Sequence, residues 1–168
     1  MYDDILKYFP KNIYEEIQKG LDEEELLEEI RLRNNRPLIL KFSNKEKILK
    51  KSVNTNEILE TLEHICDNSI YSYQAQIREG FITIKGGHRV GITGNAVLEE
   101  NKVVNLNYIS GLNFRIARQI IGASEKILNY IIDNENNSVY NTIIISPPGA
   151  GKTTILKDLV RNISNRNT

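Results

Sequence analysis

The chain has 168 residues, 22 acidic and 22 basic side chains and no net charge, which at about 100 to 200 residues per domain allows one domain, or a small domain plus part of another. Balanced charge excludes bulk attraction to nucleic acid or acidic lipid, so no nucleic-acid partner is expected. Hydrophobic residues at 40% and charged residues at 26% suit a chain with a real core. Cys66 alone cannot close an intramolecular disulfide, and one cysteine with His64 and His88 offers no zinc set. Residues 1–10 are acidic and lack the pattern of a signal peptide, and no run approaches the roughly 20 apolar residues of a membrane span. A cytoplasmic protein without direct membrane insertion is the expectation.

Ile13 and Ile17, four apart before Gly20, predict one short helix, and Asp22 capping an acidic turn toward Leu26 and Leu27 predicts a second. From Glu29 the period changes to two, with Ile30 and Leu32 alternating with Arg31 and Arg33, and a turn over 34–37 leads to residues 38–42 as the partner of a β-hairpin. Ile58, Leu59, Leu62, Ile65 and Cys66 form one helical stripe, opened by Asn54 and Glu57 at capping-box spacing. Another helix is predicted over 69–79, stopping at Gly80. Tyr71 and Tyr73 read as packing residues, and His64 and His88 as structural, His88 in a turn.

Residues 81–85, 88–98, 103–106 and 109–118 have strand composition, separated by Gly86-Gly87 and Glu99-Glu100-Asn101. A slip of one residue would exchange core and solvent faces, so the faces argue for a three-residue loop at 86–88. That places Ile84 opposite Val90, Ile82 opposite Ile92, and Lys85 opposite Arg89 on the polar face. Leu112, Phe114 and Ile116 make an apolar face, which leaves Arg115 on the other side with Asn113 and Arg118 at the strand end. Ser124 is expected to cap a helix carrying Ile127, Leu128, Ile131 and Ile132, and the polar run 133–138 reads as a linker. Residues 142–146 read as a strand buried on both faces, followed by a Gly-rich turn and a helix with Ile155, Leu156, Leu159, Val160 and Ile163 on its apolar side.

Between that strand and that helix stand Ser146, Pro147, Pro148, Gly149, Ala150, Gly151, Lys152, Thr153 and Thr154, which match the phosphate-binding loop of nucleoside triphosphatases in letters and context. Glycines let main-chain amides surround phosphates, the following helix aims its N-terminus at the anion, and Lys152 adds a positive charge. Thr153 would ligate magnesium through its hydroxyl, with ATP and Mg as the cofactors. Ser146 replaces the usual first glycine. The helix leaves too little chain for a partner strand, for the acidic strand end that holds magnesium, or for a carboxylate to activate water. The expectation is the N-terminal part of a larger ATPase, inactive by itself. The fold class expected is α/β: an α+β domain with an antiparallel sheet over 1–120, a helix and polar linker over 121–140, and over 141–168 the first strand, loop and helix of a RecA-like ATPase domain.

Glu29 to Arg33 with Arg36-Pro37, Ser69-Ile70-Tyr71, Gly80 to Thr83 with Gly86 to Gly91, Phe114 to Arg118, and Ile144 to Gly149 with Gly151 to Thr154 together resemble the stage III sporulation ATPases of endospore-forming bacteria, a branch of the secretion-ATPase superfamily. Ser146 is similar to that family's form. The resemblance implies a homo-hexameric ATPase related to type II and type IV secretion and pilus motors. It implies a place at the mother-cell face of the forespore boundary membrane, with membrane proteins of the same sporulation complex as partners. It further implies that N-terminal arginines reach a nucleotide of the same or a neighbouring subunit, with Arg89, Arg115 and Arg118 as candidates. The alternative from another class is a non-catalytic assembly or nucleic-acid adaptor with a silent loop.

Overall fold

The computed structural model describes residues 2–166 except 23, 118, 119, 134 and 137. The chain forms two compact units, residues 1–117 and 118–168. The first is mixed α/β around an antiparallel sheet of order β3-β2-β1-β6-β5-β4, with β1 at Leu27–Arg33, β2 at Arg36–Phe42, β3 at Glu46–Val53, β4 at Phe81–Ile84, β5 at His88–Glu99 and β6 at Lys102–Arg115. One sheet face is apolar and carries Ile30, Leu32, Leu38, Leu40, Phe42, Ile82, Val90, Leu112 and Phe114, all essentially inaccessible. Strand alternation puts these residues on one side. Four helices cover that side: α1 (Asp3–Leu6), α2 (Lys11–Gly20), α3 (Thr55–Ile65) and α4 (Gln74–Arg78). They contribute Ile5, Leu6, Ile13, Ile17, Ile58, Leu62, Ile65 and Ile77 to the same core. Between α1 and α2 the Phe9 ring meets Phe114 with centroids 4.5 Å apart.

Capping decides where α3 begins. Asn54 accepts the Glu57 amide at 3.0 Å while the Glu57 carboxylate accepts the Asn54 amide at 2.8 Å. The same carboxylate takes hydrogen bonds from Asn12 of α2 and Lys51 of β3, at 2.5 and 2.7 Å, so one buried acid joins three elements. Burial pushes its pKa up, but Lys51, the Asn54 amide and Asn12 outweigh that and the net shift is downward.

Several expectations differ from the structure. The helix expected near Asp22 is absent, because Asp22 instead accepts from the Glu24 amide and from Lys45, and Leu27 already belongs to β1; Glu23 lies outside the described residues. α1 and the edge strand β3 were not expected. The segment 69–79 is a short 3-10 turn, Ile70–Tyr73, that runs into α4, and Tyr71 is solvent-exposed where packing was expected. The β4–β5 loop does have three residues, but they are 85–87: Ile84 pairs with His88, Ile82 with Val90 and Thr83 with Arg89. Both loop glycines sit at positive φ, 89° for Gly86 and 78° for Gly87, so the turn takes them together with Lys85. Lys85 therefore does not face Arg89. Residues 102–115 form one continuous strand, and Glu100 and Asn101, both left-handed, make the turn before it.

The second unit holds α5 (Glu125–Ile131), a small hairpin of β7 (Ile132–Asp133) and β8 (Ser138–Val139), and α6 (Lys152–Ser164). At the two ends of the expected linker over 133–138, Asp133 pairs with Ser138 in this hairpin, and Asp133 accepts from the amides of Glu135 and Asn136 and from the Asn136 side chain; Asn134 and Asn137 lie outside the described residues. Residues 142–146 are not a strand buried on both faces: they make no ladder, and Ile143 and Ile145 are 85% and 89% exposed. A strand exists only through pairing of its amides and carbonyls, and among the described residues none lies alongside. On α6, Leu159 is buried while Leu156 and Val160 are exposed, so the expected apolar face is only partly used. Ser124 does not cap α5 with its side chain; its hydroxyl is donated elsewhere.

Candidate functional site

Gly149 and Gly151 adopt left-handed φ of 79° and 83°, and open space surrounds the position a Cβ would take at either. These two torsions bend the chain after Pro148 and deliver it into α6 at Lys152, with the Ile155 amide making the first helical bond to Gly151 at 3.0 Å. A side chain at either glycine would be strained in that conformation. Pro147 and Pro148 bring no amide hydrogen, so the loop's main-chain donors lie in its C-terminal half and in the first turn of α6.

Lys152 folds back over this loop. Its ammonium donates to the carbonyls of Ser146 and Pro147 at 2.8 and 2.9 Å and to the Ser146 hydroxyl at 3.3 Å. All three acceptors are neutral oxygens at the mouth of the loop. Serine in place of the first glycine thus supplies one of the lysine's acceptors. The Thr153 side chain is exposed at the N-terminal turn of α6, and no group of three or more His, Cys, Asp or Glu able to hold a metal occurs among the described residues. The fit to a magnesium nucleotide is therefore one hydroxyl from this chain, with phosphate oxygens and water as the other ligands that such an ion keeps.

Asp158, farther along α6, is 4% exposed and escaped the sequence reading. Ser124, whose hydroxyl donates to it, and Arg161, whose guanidinium lies beside it, hold its carboxyl far below the usual carboxylate range. The signal was present: an acid followed by Arg161 and Asn162, at positions that return to its own helix face.

In the first unit the helix-free face of the sheet carries the arginines. Glu29, Arg115 and Arg89 stand side by side across β1, β6 and β5. The Glu29 carboxylate is engaged by Arg31, which also reaches Glu46 at 3.1 Å. Arg89 and Arg115 are exposed and directly opposed, a like-charge pair that favours an anion between them. The Arg89 guanidinium lies 4.5 Å from the Phe81 ring centroid. Arg118 lies outside the described residues.

His88 is not in a turn. It opens β5, is buried, and accepts the Ala117 amide on Nδ1 at 2.9 Å while Nε2 meets the Asp4 carboxylate at 3.2 Å. A carboxylate partner that sequence spacing hid is supplied by α1. His64 keeps its structural reading, with Nδ1 at 3.1 Å from the Tyr8 carbonyl.

The family described as "Sporulation stage III, protein AA" matches residues 2–168. Stage III sporulation protein AA of Bacillus subtilis (strain 168) is 38% identical over 135 residues, which cover 80% of this chain and 43% of that protein. The chain thus spans less than half the length of the curated relative it matches. Two solved structures align with TM-scores of 0.45: the ATPase DotB of Legionella pneumophila, 13% identical over 81% of this chain and 37% of its own, and the pilus retraction motor PilT with bound ADP, 17% identical over 95% and 43%.

Proposed function

Since the chain belongs to the Sporulation stage III, protein AA family, we propose that it supplies the phosphate-binding loop of a sporulation ATPase of the secretion type, and that the whole protein uses ATP hydrolysis to power a transport or assembly complex between mother cell and forespore. The observation that carries the reading is the loop itself: two left-handed glycines, a helix start, and an ammonium poised over the loop's own carbonyls. Residues 146–154 take the phosphates, Lys152 places its charge on them, and the Thr153 hydroxyl takes magnesium. Magnesium, when bound, neutralises charge that develops on the phosphate oxygens.

Arg89 and Arg115 belong to the same chemistry in this reading. Planar guanidiniums compensate phosphate charge in phosphoryl transfer, and one supplied by a partner domain or subunit contributes about 10³ to 10⁵ in rate. Their direct opposition on an open sheet face supports an anion as the missing partner. Arg118 stands as the third candidate. A homo-hexamer acting at the forespore boundary membrane, beside membrane proteins of the stage III complex, is the assembly we propose; no described helix is long and apolar enough to cross a membrane.

The test uses the intact protein. Lys152→Ala should abolish ATP turnover, and Arg115→Lys should lower it sharply with folding retained, with Arg89→Lys and Arg118→Lys run alongside. Unchanged turnover in Lys152→Ala removes the loop from the mechanism and leaves the adaptor reading. Parent rates in all three arginine variants confine those side chains to docking. RNA binding that collapses steeply over a tenfold rise in salt would favour the nucleic-acid adaptor.

A further inference from the structure

Asp158 accepts every hydrogen bond offered to it and donates none. Its carboxylate receives the main-chain amides of Gly122 and Ser124 at 3.3 and 2.8 Å, the Ser124 hydroxyl at 2.6 Å, the Arg161 guanidinium at 2.5 Å and the Asn162 amide group at 3.4 Å. Asn162 also donates to the Ser124 hydroxyl at 3.0 Å. Ser124 is wholly buried. The carboxylate from α6 thus fixes the main-chain amides of Gly122 and Ser124 just ahead of α5 and takes the Ser124 hydroxyl, which leaves Ser124 without a local side-chain cap.

The consequence is topological. Ser124 and Asp158 are 34 residues apart, and between them lie α5, the β7–β8 hairpin, the stretch 141–146 that joins no ladder, the entire phosphate loop and the first turns of α6. Among the described residues no ladder joins 142–146 to another strand. The loop is therefore held from one side by an unpaired segment and from the other by α6, and α6 is fixed at Asp158.

We propose that Asp158 is a positioning residue for the phosphate loop: its carboxylate closes the 34-residue segment onto the start of α5 and so holds α6, with Lys152 and Gly151 at its head, in one place. This rests on the phosphate-binding reading of residues 146–154. Opening the closure releases the chain entropy of the segment, and the loop is then correctly formed for only part of the time. Affinity falls in proportion to that fraction, here about 10- to 100-fold.

The experiment compares the 168-residue chain with Asp158→Asn, Ser124→Ala, Lys152→Ala and the exchanged pair Ser124→Asp with Asp158→Ser. Asparagine keeps the shape but turns an amide group toward donors only, so it breaks the cluster. The exchanged pair returns a carboxylate to the cluster from the other side, within reach of Arg161 and Asn162. Two quantities are read: amide hydrogen exchange over residues 149–155 without nucleotide, and affinity for fluorescent mant-ATP with magnesium. Asp158→Asn should speed exchange over 149–155 with residues 27–115 unchanged and weaken mant-ATP about 10- to 100-fold, Ser124→Ala should do so to a smaller degree, and the exchanged pair should return to within about threefold of the parent.

Parent-like loop exchange in Asp158→Asn overturns the inference, as does an exchanged pair no better than Asp158→Asn. If Asp158→Asn loses α6 altogether by far-ultraviolet circular dichroism, Ser124→Ala decides in its place, since it keeps both main-chain bonds. Failure of the underlying reading looks different: the parent does not bind mant-ATP, or Lys152→Ala binds it equally well, while the exchange result still reports on Asp158.

Discussion

Replacing His88 by leucine removes two hydrogen bonds from a side chain that is 6% exposed. The Ala117 amide, bonded to Nδ1 at 2.9 Å, is left without its acceptor at the point where the chain leaves the sheet. An orphaned donor costs about 1–3 kcal/mol when fully buried, an upper range for the half-buried Ala117 amide. The bond to Asp4, whose side chain is half exposed, adds less than about 1 kcal/mol. The total is about 1–4 kcal/mol, and a domain the size of the first unit loses about 4 °C of Tm per kcal/mol, so the expected fall is roughly 4–16 °C. His88→Asn should recover the larger part, because its Oδ1 occupies the place of Nδ1 and can still accept from Ala117, whereas Asp4→Ala should cost little. The assay is thermal unfolding followed in the far ultraviolet at neutral pH. A leucine variant melting within about 2 °C of the parent, or an asparagine variant no better than leucine, would refute the assignment of the cost to Ala117.

Burial pushes the Cys66 thiol up to about 11, so iodoacetamide at pH 8 should modify the native chain roughly 100-fold more slowly than the unfolded one. The native state then holds a proton that the unfolded state releases, and stability should decline as pH rises from about 9 toward 11; a Cys66→Ala variant that declines identically would deny the link. Gly111→Ala would bring a Cβ to 2.8 Å from the Leu32 carbonyl and 2.7 Å from the Arg33 side chain. Arg33 can move aside but the β1 backbone cannot, so urea unfolding should report a loss of about 1–3 kcal/mol, and neutrality would mean that the two strands separate freely. Asn54→Ala should cost about 1–2 kcal/mol by removing the acceptor for the Glu57 amide, with a loss below about 0.3 kcal/mol speaking against the cap.

Features that depend on neighbours along the chain are legible in the residues themselves. The capping box at Asn54 and Glu57, the stripe of α3, the helix stop at Gly80, the turn before Lys102 and the order glycine loop, Lys152, helix all follow from local chemistry at fixed spacing. The apolar side assigned to Ile82, Ile84, Val90, Ile92, Leu112 and Phe114 and the opposite side assigned to Arg89 and Arg115 also held, because alternation survives a register shift of two. The register itself did not: Lys85 opposite Arg89 and Thr83 opposite Arg89 give the same faces, and the positive φ of Gly86 and Gly87 chose between them. Long-range packing placed Asp4 beside His88, joined Asn12, Lys51 and Glu57, and set Asp158 on Ser124. These partners are separated by up to 84 residues, and no periodicity encodes which distant polar group will satisfy a buried one. Burial made that choice compulsory, since an unpaired carboxylate or amide inside the fold costs more than the order needed to pair it. Residues 142–146 show the converse: they have a strand's composition, but a strand is completed by its neighbour, and composition cannot supply one.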